Sequence, residues 1–136
     1  MSTLPSGTVL LLEDDNSVRD LLALILAQDG HDVRSCESAE EIRDLAVANP
    51  DALAVVDFWG TSHTTLATEE RDLLTDFAHA VPTVLITGRT WASDAVAHEL
   101  GLAALVQKPF DVAEMSAVVR SCVAQVQADI EAPTRS

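Results

Sequence analysis

Basic residues are scarce in this chain. Eight Lys and Arg stand against 22 Asp and Glu, a formal net charge of −14. That balance argues against direct binding to nucleic acid or to an anionic membrane surface, since both recruit basic patches. It leaves cations and basic protein surfaces as the natural partners. Cysteine is scarce too. Cys36 and Cys122 show no metal-ligand spacing and read as small core residues of a protein kept in a reducing compartment. No apolar run approaches the roughly 18 residues of a membrane span. The stretch Met1–Gly7 is uncharged and lacks a signal-peptide pattern, so a cytoplasmic location is expected. No internal repeat, low-complexity tract or domain boundary stands out. The 136 residues, 48% of them hydrophobic, suit one packed core. The expected organisation is an N-terminal extension over 1–7, a folded domain over 8–130 and a flexible tail over 131–136.

What is present is alternation. Short apolar runs read as buried strands at Thr8–Leu12, His31–Cys36, Leu53–Val56, Thr83–Ile86 and Leu102–Val106. Between them lie helical periods. Val18, Leu21, Leu22, Ile25 and Leu26 fall on one helical face, which Asp29-Gly30 closes. Ser38 and Glu41 form a capping box ahead of Ile42, Leu45 and Ala46, and Asn49-Pro50 stops that helix. A third helix, Thr68–Ala80, buries Leu73, Leu74 and Phe77. A fourth covers roughly Ser93–Leu100 with Gly101 after it. A last one follows the capping box Asp111–Glu114 and buries Val112, Met115, Val119, Cys122, Val126 and Ile130. His31, His79 and His98 read as surface or partly buried histidines. Strand–helix alternation throughout predicts βαβ units and a parallel sheet covered on both faces.

In such sheets a site forms outside the carboxyl ends of the strands, near the reversal of strand order. The residues just past those ends are Glu13, Asp14 and Asp15, then Asp57, then Thr87 and Gly88, then Lys108. Several carboxylates in one crevice repel unless a cation binds or one takes a proton. An oxygen-only set of Glu13, Asp14 and Asp57 suits Mg²⁺. Lys108 adds a positive charge, Thr87 a hydroxyl, and backbone amides after Asp57 and Thr87 add donors. That is the equipment a phosphoryl group needs. Asp57 is the candidate nucleophile, forming an acyl phosphate. Asp15 reads as a solvated charge at a helix start, and His63 as a loop residue.

Four stretches carry a resemblance. VLLLEDDNSVRDLLALIL, DALAVVD, PTVLITG and DAVAHELGLAALVQKPFD resemble, in order and spacing, the receiver domains of two-component response regulators, the CheY-like family. The likeness runs from about Val9 to Val126. It implies a flavodoxin-like, doubly wound, five-stranded parallel sheet with five helices. It implies a signalling switch rather than an enzyme in the ordinary sense. A sensor histidine kinase or phosphotransfer protein passes a phosphoryl group to Asp57 with Mg²⁺, and output is by contact with a protein partner or by homodimerisation. Glu13, Asp14, Asp57 and the Trp59 backbone carbonyl match the metal ligands. Thr87 and Lys108 match the residues that grip the phosphoryl group, with the backbone at Trp59 and Gly88 in contact with it. The Lys108–Pro109 bond is expected to be cis.

The sequence also departs from the family. After Asp57 it reads Phe58-Trp59-Gly60-Thr61-Ser62-His63, polar and without the usual proline. Trp59 and Arg89 stand where side chains overhang the phosphate, and Trp59 is expected to shield it from water. Leu105 replaces the usual switching aromatic, following Leu102-Ala103-Ala104, so an apolar output or dimer face around Leu102 and Leu105 is expected unless Trp91 or the last helix covers it. Two other readings compete. A haloacid-dehalogenase-like phosphatase needs a second acid where Trp59 stands. A pseudo-receiver would work by contact alone, without phosphorylation. No helix-turn-helix or basic stretch follows Ile130, so the chain is read as a stand-alone regulator or a receiver from a larger protein.

Overall fold

A computed structural model of the chain describes residues 7–13, 15–58 and 65–131. The expectations for Asp14, for Trp59 through His63, and for most of the 1–7 extension and the 131–136 tail lie outside the described residues. Ten elements follow in strict alternation: β1 (Thr8–Leu12), α1 (Asn16–Gln28), β2 (Asp32–Cys36), α2 (Ala39–Ala48), β3 (Leu53–Asp57), α3 (Thr68–Ala80), β4 (Thr83–Thr87), α4 (Asp94–Leu100), β5 (Ala104–Gln107) and α5 (Val112–Glu131). The strands form one parallel sheet in the order β2-β1-β3-β4-β5. This is the flavodoxin-like arrangement, with strand order reversing at β1. No described helix is long and apolar enough to cross a membrane.

The pleat sorts the core into two layers, because successive side chains on a strand point to opposite faces. Val9, Leu11, Leu53, Val55, Val84, Ile86 and Val106 pack against α1 and α5. Leu10, Ala54, Val56 and Leu85 pack against α2, α3 and α4. Strands β3 and β4 are buried at every position, which is why they read as unbroken apolar runs. The edge strand β2, DVRSC, is largely exposed. Each fully buried leucine or isoleucine contributes about 1.5–3 kcal/mol of transfer free energy.

Helix ends are capped by local chemistry. Asp15 is the N-cap of α1, its side chain accepting from Ser17 and Val18 amides. Ser38 accepts from Glu41 N–H, Ser93 from Val96 N–H and Asp111 from Glu114 N–H. Ala67, which has no hydroxyl, caps α3 only in the reverse sense, donating its amide to the Glu70 carboxylate at 3.1 Å.

Several expectations are corrected. Strand β5 starts at Ala104 rather than Leu102. Gly101, with φ 75°, and Leu102 close α4 by donating their amides to His98 and Ala97 carbonyls, so the chain is still finishing a helix there. The same motif ends α1, where Gly30 (φ 96°) donates to Ala27 and His31 to Leu26. It drives His31 inward, to 5% exposure, because the residue after the left-handed glycine packs back on its helix. Leu21 is 53% exposed and Val112 48% exposed. Leu22 and Leu26, one turn apart, seat α1 and leave Leu21 at the rim of the apolar stripe. Val112 lies in the first turn of α5, beyond the sheet, and Val123 is buried further along instead.

Candidate functional site

Register places the acids. Leu12 of β1 pairs with Val56 of β3, so Glu13 and Asp57 occupy the next step at the carboxyl ends of adjacent strands. They share the face of Leu11 and Val55. Both are buried, Glu13 at 4% and Asp57 at 7% exposure. Lys108 reaches the same point from the end of β5. Its Nζ lies 2.6 Å from Asp57 Oδ2, and the Asp57 side chain is only 1% exposed. The Lys108–Pro109 peptide is cis.

This is an electrostatically unfinished site. Glu13 Oε1 accepts from Asp15 N–H at 3.0 Å. Glu13 Oε2 and Asp57 Oδ1 have no hydrogen-bond partner among the described residues, and Asp57 Oδ2 has only the Lys108 ammonium. Ionised carboxylates only accept, so two of them side by side cannot satisfy each other. A proton on Glu13 lets it donate to Asp57. Burial, first, and then that shared hydrogen bond push the Glu13 carboxyl up to about 7. A hard cation meets the same need without the proton. Glu13 and Asp57 therefore fit Mg²⁺ by their free oxygens. No three His, Cys, Asp or Glu side chains gather into a complete metal site among the described residues, and Asp14 and Trp59 lie outside them.

The remaining site residues close the crevice. Thr87 is fully buried at the end of β4. Its Oγ1 accepts from Arg89 N–H at 3.2 Å and its carbonyl from Lys108 N–H at 2.9 Å. Gly88 follows, half-buried, as is Arg89. The Phe58 amide is committed to the ladder, donating to Ile86 O at 3.0 Å, so it is not a free donor. Leu102 and Leu105 are half-buried against the cluster that contains Trp91. Among the described residues, the large hydrophobics that stand exposed are Leu21, Leu24, Val47 and Val112.

Sequence reasoning missed two features beside the crevice. Gln107 Nε2 donates to Ala92 O at 2.7 Å, and Trp91 meets Phe58 edge-on, ring centroids 6.4 Å apart. The period of two along β5 was the available signal, since it puts Gln107 on the face of Leu105.

No protein-family model matches the sequence, and no curated protein matches it significantly. Solved structures do match. FixJ-N superposes with a TM-score of 0.66 at 22% identity, over 87% of this chain and 94% of that one. A CheY-like response regulator receiver domain protein from Methanospirillum hungatei JF-1 gives 0.70 at 19%, over 90% and 98%. NtrX from Brucella abortus, solved in complex with ATP, gives 0.67 at 23% over 91% of this chain, which spans 28% of the NtrX chain. Five parallel strands in the order 2-1-3-4-5, five helices and these superpositions lead to one structural conclusion: the chain is folded as a response-regulator receiver domain.

Proposed function

We propose that the protein is a phosphorylation-dependent signalling switch of a two-component or phosphorelay system, with Asp57 as acceptor. The carrying observation is a buried Asp57 paired at 2.6 Å with Lys108 beside a second buried acid, with carboxylate oxygens left over. A phosphohistidine of a sensor kinase or phosphotransfer protein is the donor. The N–P bond breaks as an Asp57 carboxylate oxygen forms the new O–P bond, giving an acyl phosphate. Lys108 stays beside the transferred group and balances its charge. The Thr87 hydroxyl and the Gly88 amide donate to its oxygens. Glu13 and Asp57 would hold Mg²⁺, with Asp14 and the Trp59 carbonyl completing the set that the receiver resemblance implies. Mg²⁺, when bound there, neutralises charge on the phosphoryl oxygens and lets the two carboxylates share the crevice. Trp59 and Arg89 tune the lifetime of the acyl phosphate, and output is a protein contact or a homodimer. Leu105 in the aromatic position favours a second reading, a pseudo-receiver that works by contact alone.

The test is incubation with Mg²⁺ and a small acyl-phosphate donor, read by intact mass, with Asp57→Asn as control. The expected result is a gain of one phosphoryl group that needs Mg²⁺ and disappears in the variant. No gain with any donor, in folded protein, would favour the pseudo-receiver.

A further inference from the structure

Of the two buried acids at the carboxyl end of the sheet, Glu13 has the longer side chain. It carries one more rotatable bond than Asp57, so its carboxylate must be held if it is to face the neighbouring strand end. The structure shows what holds it. Glu13 Oε1 accepts from the Asp15 amide at 3.0 Å. Oε2 has no hydrogen-bond partner among the described residues, and the carboxyl lies within hydrogen-bonding reach of Asp57.

The Asp15 amide is itself fixed. Asp15 is the N-cap of α1, in extended backbone with φ −81° and ψ 118°. Its Oδ1 accepts from Ser17 N–H at 2.9 Å and from Val18 N–H at 3.1 Å. Its carbonyl accepts from Arg19 N–H at 2.8 Å. These bonds anchor the residue on its helix side, while its own N–H turns the other way, to Glu13. Leu22 and Leu26 in turn seat α1 on the sheet. Support therefore runs from the core through α1 and Asp15 to one oxygen of Glu13. Asp15 is exposed, and its carboxylate faces helix amides rather than the buried acids.

We propose that Asp15 is a positioning residue for the cation site: by capping α1 it aims its own amide at Glu13 Oε1 and leaves Oε2 for a divalent cation. The proposal rests on the Mg²⁺ site at Glu13 and Asp57 put forward above. An amide donor favours the ionised form of a carboxylate, the form that a hard cation takes. Holding the side chain in the folded protein also removes part of the rotamer cost that a loose glutamate would meet on binding. The negative charge of Asp15 is not what acts, since asparagine caps a helix as well as aspartate does.

Calorimetric titration of the unphosphorylated full chain with Mg²⁺ tests this, with urea midpoints measured alongside. Asp15→Ala removes the cap and is expected to weaken Mg²⁺ binding about fivefold, the most that a cap of ordinary strength can transmit. Asp15→Asn keeps the acceptor without the charge and is expected to bind Mg²⁺ as the parent does. Ser38→Ala removes the cap of α2, and is expected to lower the urea midpoint and leave Mg²⁺ affinity unchanged. Parent-like affinity in Asp15→Ala would overturn the proposal. So would Asp15→Asn as weak as Asp15→Ala, because charge and not capping would then be at work. An equal loss in Ser38→Ala would sink it too, as a general effect of destabilisation. A parent that binds no Mg²⁺ would overturn the cation site itself, so titrating the parent first separates that failure from this one.

Discussion

The two ends of the sheet bury titratable groups and resolve the cost in opposite ways. At the amino end, His31 sits between α1, β2 and α5 with neither ring nitrogen hydrogen-bonded among the described residues. Burial lowers its pKa, with Asp29 opposing and Arg120 adding to the shift. Asp29 in turn accepts a hydrogen bond from Ser116 of α5. A histidine can shed its charge and stay buried as a neutral ring. At the carboxyl end Glu13 and Asp57 can be relieved only by a proton or a cation. The amino end also carries a hollow of about 360 Å³ lined by Gly7, Asn49, Asp51, Val123 and Gln127 among others. Its polar neighbours are mostly provided for: Asn49 Nδ2 donates to Leu45 O and Gly7 O accepts from Asp32 N–H. Unmet charge, more than the volume of a hollow, marks the place where this fold can do chemistry.

The sharpest way to break this comparison is to remove the cation that pairs with Asp57. Lys108→Met leaves Asp57 buried and uncompensated and is expected to cost about 3 kcal/mol near neutral pH. Urea unfolding would read it, and an unchanged midpoint would mean the acids are relieved by another route. Next in size is a pair of opposed pH slopes. Glu13 has a folded pKa of about 7, raised from its unfolded value, so the folded state holds the extra proton between the two. Stability is then fully present below pH 4.5 and falls by about 2–3 kcal/mol as pH rises to 7. His31 has a lowered folded pKa, so the unfolded state binds the extra proton, and stability falls as pH drops below 6.5. Urea midpoints across pH 4.5–8 should therefore decline less with rising pH in Glu13→Gln than in the parent, and decline more steeply below pH 6.5 in His31→Phe, where the opposing slope is gone. A change of slope in the opposite sense in either variant would refute the assignment. The smallest effect is expected in the hollow. A Cβ at Gly7 would meet Val123 Cγ1 at 3.4 Å, an ordinary contact, so Gly7→Ala should change stability by less than about 0.5 kcal/mol. Phosphorylation by an acyl-phosphate donor should be unaffected.

Much of this was legible in the chain itself. Unbroken apolar runs named β1, β3 and β4, because strands buried on both faces have no polar side to show. Cap residues placed two helix starts, since Ser38 and Asp111 satisfy first-turn amides that the helix itself leaves unpaired. Strand–helix alternation located the acids and Lys108 at strand ends. What the chain could not show was anything that depends on a distant partner. Leu21 and Leu22 are the same residue type one position apart, and only the seating of α1 on the sheet exposes one and buries the other. His31 reads as polar, and only the helix-closing turn drives it inward. Gln107 and Ala92 lie on different elements, and their hydrogen bond forms because β5 runs beside the loop that leaves β4. Local sequence determined element type, caps and the order of the strand ends, through period, turn chemistry and backbone preference. Tertiary structure alone decided the 2.6 Å approach of Lys108 to Asp57 and the raised pKa of Glu13, because burial and the electrostatic interactions that follow from it arise only when separate strands bring their ends together.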